Sequence, residues 1–497
     1  MPFRQSVKHF LMHLSWIFIL PSSGAYAYQT QLPDLGSPDL IEYDTQTEQR
    51  LGRAFSVALH TEFDLNYDPE ILNYIRRIGE RVITQTGDNR AFSFYVINNP
   101  SINAFAGPDG VIGIHTGLIE AVRSEDELAS VIAHEVAHIT QRHLSRQYEY
   151  QESEGSIASI ASIIAAILVG TQDPNAGMAI LMGGQGYVTQ KQLSNSRQHE
   201  AEADFTGIKF LYKAGYNPKA MARFFGRLSR QSMSNSGQIP EILRTHPVTE
   251  NRLAAAEDRA QTMPPFKPRE DNGDLRLIQL RLQSRQKQEL GKLFNEIPLN
   301  DDQRCYQLND LDSNPADKNI TKKLKNLQCL VKLAKSESKQ PLYTDLLLEK
   351  LTGIINNSGL PKKDRTDWVS QTKEIANFAQ ILYPQRQDIS IRYAEFLEAI
   401  GDSKQAKSLL LQHSSDHYNF LINQKLAEIA NQNKDWGYAY FYQAQAQYNI
   451  GNIKYTAHLL KQAKEKNKNA NNDLTAEITL FENQNRNQLN SVEKTEE

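Results

Sequence analysis

The sequence contains few cysteines and little excess charge, and each shortage excludes a class of protein. Only two cysteines, Cys305 and Cys329, occur among the 497 residues. This excludes a disulfide-rich scaffold and any metal cluster or finger that needs three or four thiolates. The 55 basic and 58 acidic side chains give a formal net charge of −3. A polybasic nucleic-acid binder and a highly charged disordered chain are therefore excluded as well.

Long apolar runs are also scarce. Hydrophobic residues make up 40% of the sequence, enough for ordinary cores but too few for a protein with several membrane spans. Residues 157–169 are rich in Ile and Ala, but Ser159 and Ser162 interrupt them and the run is too short for a span. We expect a buried or interface-seeking helix there.

The N-terminus, residues 1–27, has the pattern of a secretory signal peptide. Arg4 and Lys8 form a basic start, residues 10–20 are apolar, and residues 25–27 have the small-x-small form of a cleavage site. The alternative is an uncleaved membrane anchor, which the short apolar stretch and the cleavage pattern disfavour. The sequence therefore predicts an exported protein.

Export bears on the two cysteines, because disulfides persist outside the cytoplasm. Cys305 and Cys329 either pair or remain as two buried thiols, and we favour the pair.

The patterning divides the chain into successive segments of different character. After the signal peptide we expect a polar N-terminal segment (28–45), an α+β domain (46–262), a proline-rich linker (263–273), an all-α domain (274–482) and a disordered tail (483–497).

The predicted all-α domain contains two similar segments. Residues 394–402 align with residues 444–452, and each leads into a second amphipathic helix. This is typical of the helix–turn–helix unit of tetratricopeptide repeats, although the spacing is wider than one repeat of about 34 residues. The array is therefore irregular, or a degenerate half-repeat near residues 421–433 intervenes. The alternative is a plain helical domain without repeats.

Within the α+β domain, two strands are predicted. Residues 92–96 alternate as a strand, and a second strand covers Val111 to Ile114 after the turn at residues 107–110. We expect the second strand to form a sheet edge that holds an extended substrate by main-chain hydrogen bonds. The alternative is an internal strand.

A helix that begins at a capping box carries the strongest chemical signal. The box spans residues 124–127, and the helix continues to Ile139. His134 and His138 are one turn apart on the same face, so both imidazoles can reach one zinc ion. Glu135 would lie beside the metal and could accept a proton from metal-bound water. The alternative is a pair of exposed histidines on an amphipathic helix.

A third ligand is expected on a later helix, over residues 198–214, which Gly215 would cap. Glu200 and Asp204 share one face, so one can bind zinc while the other accepts the ring N–H of a liganding histidine. His199 is a competing ligand, and Glu202 points away from that face.

These residues resemble a known family. The motif His134-Glu135-x-x-His138, followed by Glu200-x-x-x-Asp204, is similar to the M48 family of zinc metallopeptidases. Further segments resemble the same family over residues 45–260: 103–106, 110–112, 116–118 and Thr245-His246-Pro247 with Arg252.

The resemblance implies a fold and a division of roles. It implies a zincin-like α+β metallopeptidase domain followed by the helical-repeat domain, with one Zn²⁺ per chain. His134, His138 and Glu200 would be the metal ligands, Glu135 the general base, and Asp204 a residue that supports a ligand.

The roles of two further polar residues stay open, and two histidines are not expected to bind the metal. His246 precedes a proline and is expected in a loop; it could stabilise the oxyanion, act as a removable fourth zinc ligand, or only anchor the loop. Arg252 could stabilise charge or form a structural ion pair. We interpret His143 and His115 as non-ligands.

The full arrangement resembles periplasmic members of the family. It implies an endopeptidase that degrades misassembled outer-membrane β-barrel proteins and assists their assembly as a chaperone. The repeats would dock the β-barrel assembly machinery, with no nucleic acid and no transmembrane span in the mature chain. We also expect residues 157–169 and 178–182 to form a mobile cover over the cleft.

Two alternatives remain open. The first is a mainly non-proteolytic chaperone or adaptor with a latent or self-inhibited peptidase domain. The second is a structural zinc protein, which an open coordination position would disfavour.

Overall fold

A computed structural model provides the fold. It describes residues 45–146, 190–234, 239–267, 269, 272–286, 298–311, 319–336, 341–414, 416, 418–467 and 472–493. The predicted signal peptide, most of the N-terminal segment and the predicted cover at 157–169 and 178–182 lie outside these residues.

The first part of the chain combines helices with a small sheet. Its elements are α1 (Thr45–Glu62), α2 (Pro69–Ile83), β1 (Ser93–Ile97), β2 (Ala104–Ala106), β3 (Val111–His115), α3 (Thr116–Ala121), α4 (Glu125–Thr140), α5 (Gln190–Lys213), α6 (Ala220–Ser234), α7 (Glu241–Thr245) and α8 (Glu250–Thr262).

The sheet has the order β1-β3-β2, with β3 in the centre. β3 runs parallel to β1 and antiparallel to β2, so that Gly113 faces Tyr95 on one side and Phe105 on the other. The two predicted strands are confirmed, but the prediction that Val111–Ile114 forms a sheet edge is wrong, because both of its edges are already paired. The third strand, β2, was not predicted, since three residues are too few to show an alternating pattern.

Helix α4 lies in the core. The Ser124 side chain accepts a hydrogen bond from the Glu127 N–H, as the capping box predicts. The Glu127 carboxylate instead accepts from the Arg123 N–H at 2.8 Å and pairs with Arg227. Leu128, Val131, Ile132 and Val136 are fully buried. The helix is thus surrounded by the fold, which fixes the direction of its polar side chains.

Helix α5 packs closely against α4. A Cβ at Gly207 would lie 3.0 Å from the Ala133 carbonyl oxygen, so the glycine allows the two backbones to approach. The helix begins earlier than predicted, at Gln190, and ends before Gly215, whose φ of 80° makes it the predicted C-terminal cap.

The second part of the described chain contains only helices. They are α9 (Asp274–Gln286), α10 (Asp301–Leu311), α11 (Ile320–Ser336), α12 (Pro341–Ser358), α13 (Lys362–Leu382), α14 (Gln387–Ala399), α15 (Ser403–Leu411), α16 (Phe420–Gln432), α17 (Trp436–Asn449), α18 (Ile453–Lys466), α19 (Asn472–Gln484) and α20 (Arg486–Glu493). One continuous hydrophobic core joins them to the first part, so the two parts pack together.

The two similar segments form equivalent structures. α14 with α15 and α17 with α18 are helix pairs, and the turns contain Gly401 and Gly451 with φ of 90° and 86°. α16 lies between the pairs in the chain. The assignment to tetratricopeptide repeats stays a prediction.

The tail differs from the prediction. The composition of residues 483–497 predicts disorder, but the described residues up to 493 belong to α19 and α20, apart from Asn485 in the turn between them. Ile478 is 1% exposed, and Leu489 packs against the core. A few apolar side chains therefore dock these helices, although the composition is polar.

Cys305 and Cys329 form a disulfide with an S–S distance of 2.01 Å, which links α10 to α11 and confirms the predicted pair. Among the described residues, no helix is both long and apolar enough to cross a membrane.

Candidate metal centre

Helix α4 brings the two histidines of the motif together. The Nε2 atoms of His134 and His138 lie 3.1 Å apart. His134 is fully buried, and Glu135 beside it is fully buried too. The one-turn spacing on a fixed core helix therefore aims both imidazoles at the same point.

Helix α5 supplies the carboxylate. Glu200 Oε2 lies 3.3 Å from His134 Nε2, and Glu200 Oε1 lies 3.5 Å from His138 Nε2. Burial would raise the pKa of the Glu200 carboxyl, but His246, His138 and His134 hold it well below its usual range. Glu200 is therefore an anion that faces two imidazoles.

His246 reaches the same point from a separate element. It caps α7, and its Nδ1 lies 2.9 Å from Glu200 Oε1 and 3.3 Å from His134 Nε2. Its Nε2 is 3.5 Å from Glu135 Oε1. One potential ligand atom from each of His134, His138, Glu200 and His246 lies within 4.8 Å of the others.

Asp204 supports the group from behind. Its Oδ1 lies 3.0 Å from His134 Nδ1, the ring nitrogen that faces away from Glu200. Arg252 donates to both Asp204 oxygens, at 2.7 and 2.8 Å, and its guanidinium also lies 3.0 Å from Glu200 Oε2. The alternative of a structural ion pair for Arg252 therefore fits the structure, and this ion pair fixes both carboxylates.

These charges make the group suitable for a cation. Burial would lower the pKa of His134, but Asp204 and Glu200 raise it to about 10. Without a metal ion the imidazole therefore carries a second proton and is positively charged. Metal binding displaces such protons, because a liganding imidazole must be neutral. The Glu135 oxygens also lack a hydrogen-bond partner in the described part of the chain, although they are buried.

Three other candidates lie outside the ligand group. The His199 ring stacks on His143, with the centroids 4.4 Å apart. Glu202 pairs with Arg146 at 3.0 Å, as expected for a residue on the other face. His115 contacts the Ser101 hydroxyl at 2.7 Å, and burial lowers its pKa to about 4.

His143 makes a contact with His138 that the sequence did not indicate. Its Nδ1 lies 2.9 Å from His138 Nδ1. α4 ends at Thr140, and Arg142 has a φ of 56°, which turns the chain back so that His143 reaches His138. The arginine gave no signal for this, because left-handed residues are usually Gly or Asn.

The position of α7 depends on a second contact that sequence patterns do not show. The Asn103 amide donates to Glu241 Oε1 at 2.8 Å, and the Ile242 N–H donates to the Ile102 carbonyl at 3.0 Å. These bonds hold the segment that presents His246 against the end of β2.

Comparison with known proteins assigns this site to a family. Residues 71–260 match the family described as Peptidase family M48. They form a peptidase family M48 domain.

Relatives of the M48 domain carry informative names. The β-barrel assembly-enhancing protease of Yersinia pestis is 36% identical over 245 residues, 49% of this chain and 50% of that protein. The protein of that name from Escherichia coli is 37% identical over 236 residues, 47% of this chain and 48% of that protein. A mitochondrial metalloendopeptidase of Schizosaccharomyces pombe is 27% identical over 194 residues, 39% of this chain and 54% of that protein.

The chain spans about half the length of the curated relatives it matches. The residues that match the family, 71–260, contain the whole candidate metal centre. Imidazole and carboxylate donors suit zinc, and three such ligands with one further position are typical of catalytic zinc sites. The side chains of the M48 domain thus fit a metal ion.

Proposed function

We propose that the chain is a zinc-dependent endopeptidase. The observation that carries this proposal is the convergence of His134, His138 and Glu200 on one point, with Glu135 buried beside them. His134, His138 and Glu200 would hold the ion. One relative is named as a protease and another as a metalloendopeptidase, which supports the same activity.

The residues divide the chemistry among them. Zinc, when bound, acts as a Lewis acid and lowers the pKa of water. Glu135 accepts the proton of the attacking water and passes it to the leaving amine, a role that suits a buried carboxylate to which no described residue donates a hydrogen bond. Asp204 Oδ1 lies 3.0 Å from His134 Nδ1 and so orients the ring, while Arg252 keeps Asp204 charged and in place.

His246 acts as a removable fourth ligand in this proposal. Its two ring nitrogens face Glu200 and Glu135, so it occupies the position that the substrate and the attacking water need. The peptidase is therefore latent until the α7 segment moves. This position favours the fourth-ligand alternative over oxyanion stabilisation and over a purely structural role.

The substrate and location rest on the relatives and on the N-terminal pattern. The name of two relatives refers to β-barrel assembly, which supports misassembled outer-membrane proteins as substrates. The signal-peptide pattern of residues 1–27 supports a periplasmic location. The helical region would then dock the assembly machinery and give the chain a chaperone function.

The position of His246 over Glu200 and Glu135 also favours a second candidate function. With His246 on Glu200, the chain could serve mainly as a chaperone or adaptor whose peptidase is rarely exposed. The two functions differ in whether clearance of a misfolded substrate needs Glu135.

The test combines metal analysis with casein proteolysis on the full chain. We expect one zinc per chain in the wild type and in Glu135→Gln, and a loss of activity in Glu135→Gln of about 10²- to 10⁴-fold. His246→Ala should keep zinc and cleave casein faster. Undiminished cleavage by Glu135→Gln would refute the peptidase mechanism, and undiminished clearance of a misfolded barrel protein would favour the adaptor.

A further inference from the structure

A cavity of about 70 Å³ lies between the M48 domain and the C-terminal helices, and none of the metal-centre residues lines it. The first part of the chain contributes Leu65, Tyr67, Leu72 and Arg76 together with residues of β1. The helical region contributes residues 418–421 together with Asn449 and Ile450. A ligand bound there would contact both parts of the chain.

Arg76 gives the cavity its charge. Within the described residues its guanidinium forms no ion pair, and its buried Nε has no hydrogen-bond partner. The guanidinium lies over the Tyr418 ring, 4.5 Å from the centroid. Burial lowers the pKa of Arg76, although Tyr418, Tyr95 and Glu80 raise it. These neighbours therefore compensate only partly for the hydration that the guanidinium loses. A partly buried cation whose Nε has no partner favours an anionic ligand.

Aromatic rings form the other walls. His60 stacks on Tyr67 with centroids 5.8 Å apart, and Phe420 lies 4.9 Å from His60. Burial lowers the pKa of His60 to about 4, so this ring is neutral at pH 7 and adds no second charge. The cavity therefore combines one fixed cation with an apolar aromatic lining.

The edge of β1 that faces away from β3 adds main-chain groups, and residues 64–66 pair with only its C-terminal end. The Val96 carbonyl on this edge accepts from the Asn66 N–H at 2.8 Å. Strand alternation places the Phe94 N–H and carbonyl on the same edge, and no described residue beyond the sheet bonds to them. An extended chain end could pair with these groups while its terminal carboxylate reaches Arg76.

We propose that this cavity binds a carboxylate that is attached to a small apolar or aromatic group. The carboxylate accepts hydrogen bonds from the Arg76 guanidinium, and the apolar group packs among Tyr67, Tyr95 and Phe420. Two sources carry this chemistry: a free aromatic acid and the C-terminal residue of a peptide. The site is independent of the proposed peptidase activity.

The first test measures binding of matched ligands to the full chain by isothermal titration calorimetry. The probes are 3-phenylpropionate and its primary amide, and a pentapeptide that ends in leucine with either a free or an amidated C-terminus. We expect each acid to bind at least about tenfold more tightly than its amide, because a charge-assisted hydrogen bond is lost in the amide. Tighter binding of the peptide acid than of 3-phenylpropionate would identify the chain end as the source.

The second test uses variants with a matched control. Arg76→Gln should weaken binding of the acids about 10- to 100-fold. Arg81→Gln, on the same helix α2 but in contact with Tyr216, should leave binding unchanged. Leu421→Trp keeps Arg76 and fills the cavity, so it should abolish binding even if Arg76→Gln does not fold. Equal affinity for acid and amide, or wild-type affinity in Leu421→Trp, would overturn the proposal.

Discussion

At the scale of single residues, the metal centre depends on the compensation of buried charges. Two carboxylates, Glu200 and Asp204, face His134 from opposite sides, and Arg252 lies against both carboxylates. Burial alone would raise the pKa of Asp204, but His134 and Arg252 hold it below its usual range. Asp204 therefore remains an anion that orients the His134 ring.

This role predicts the effect of Asp204→Asn. The amide keeps the shape of the side chain but removes the charge that orients His134. We expect the affinity for zinc to fall about 10- to 100-fold, because outer partners of metal ligands typically contribute this much. A competition titration of the full chain with a chromophoric chelator measures the affinity directly.

The matched control is Asp258→Asn, the same substitution at an exposed position of α8. It should leave the zinc affinity unchanged. If Asp204→Asn also bound zinc like the wild type, Asp204 would have no part in orienting the metal ligand.

At the scale of secondary-structure elements, glycines show how local sequence sets helix ends. Gly401 follows α14 with a φ of 90°, and the Asp402 N–H behind it donates to the Leu397 carbonyl at 2.8 Å. This bond satisfies a carbonyl of the last helical turn, as in a Schellman motif. Gly353 instead lies inside α12 and needs no left-handed backbone.

The two glycines predict opposite effects of one substitution. A Cβ at either position would meet nothing within 4 Å, so only the backbone distinguishes them. Gly353→Ala should stabilise the protein by about 0.5–1 kcal/mol, whereas Gly401→Ala should destabilise it by about 1–2 kcal/mol. Urea unfolding of both variants measures the difference, and changes of the same sign would contradict this explanation.

Elements were predictable where the signal is local. The cap at Ser124 and the cap at Gly215 depend on neighbours in sequence, and the structure confirms them. The pairing of β3 on both edges depends on a strand of three residues that is recognisable only by its partners. The start of α5 at Gln190 has no clear cap in the sequence.

At the scale of the whole molecule, a buried ionic cluster joins the start of α2 to the helical region. Arg281 of α9 is fully buried, and its guanidinium lies 2.8 Å from Asp68 and 2.7 Å from Glu70, both near the start of α2. It also lies 2.6 Å from Glu349 of α12. One side chain thus connects the two parts across the predicted linker.

Removal of this cation should destabilise the fold strongly. Arg281→Met leaves Glu70 and its neighbours as buried carboxylates with too few cations, which typically costs about 3–5 kcal/mol. Arg285→Met is the control, because Arg285 contacts the same Glu349 from the next turn of α9 but is 33% exposed. Chemical denaturation should show a small change in the control, and equal losses in both variants would contradict the argument.

The sequence by itself determined the chemistry of the site. The spacing of His134, Glu135 and His138 and the shared face of Glu200 and Asp204 follow from helix periodicity, which acts over single turns. Only the tertiary structure decided the place of His246, the contact of His143 with His138 and the Arg281 cluster. Those contacts join positions that are distant in the chain or follow an irregular backbone, and no local pattern encodes such distances.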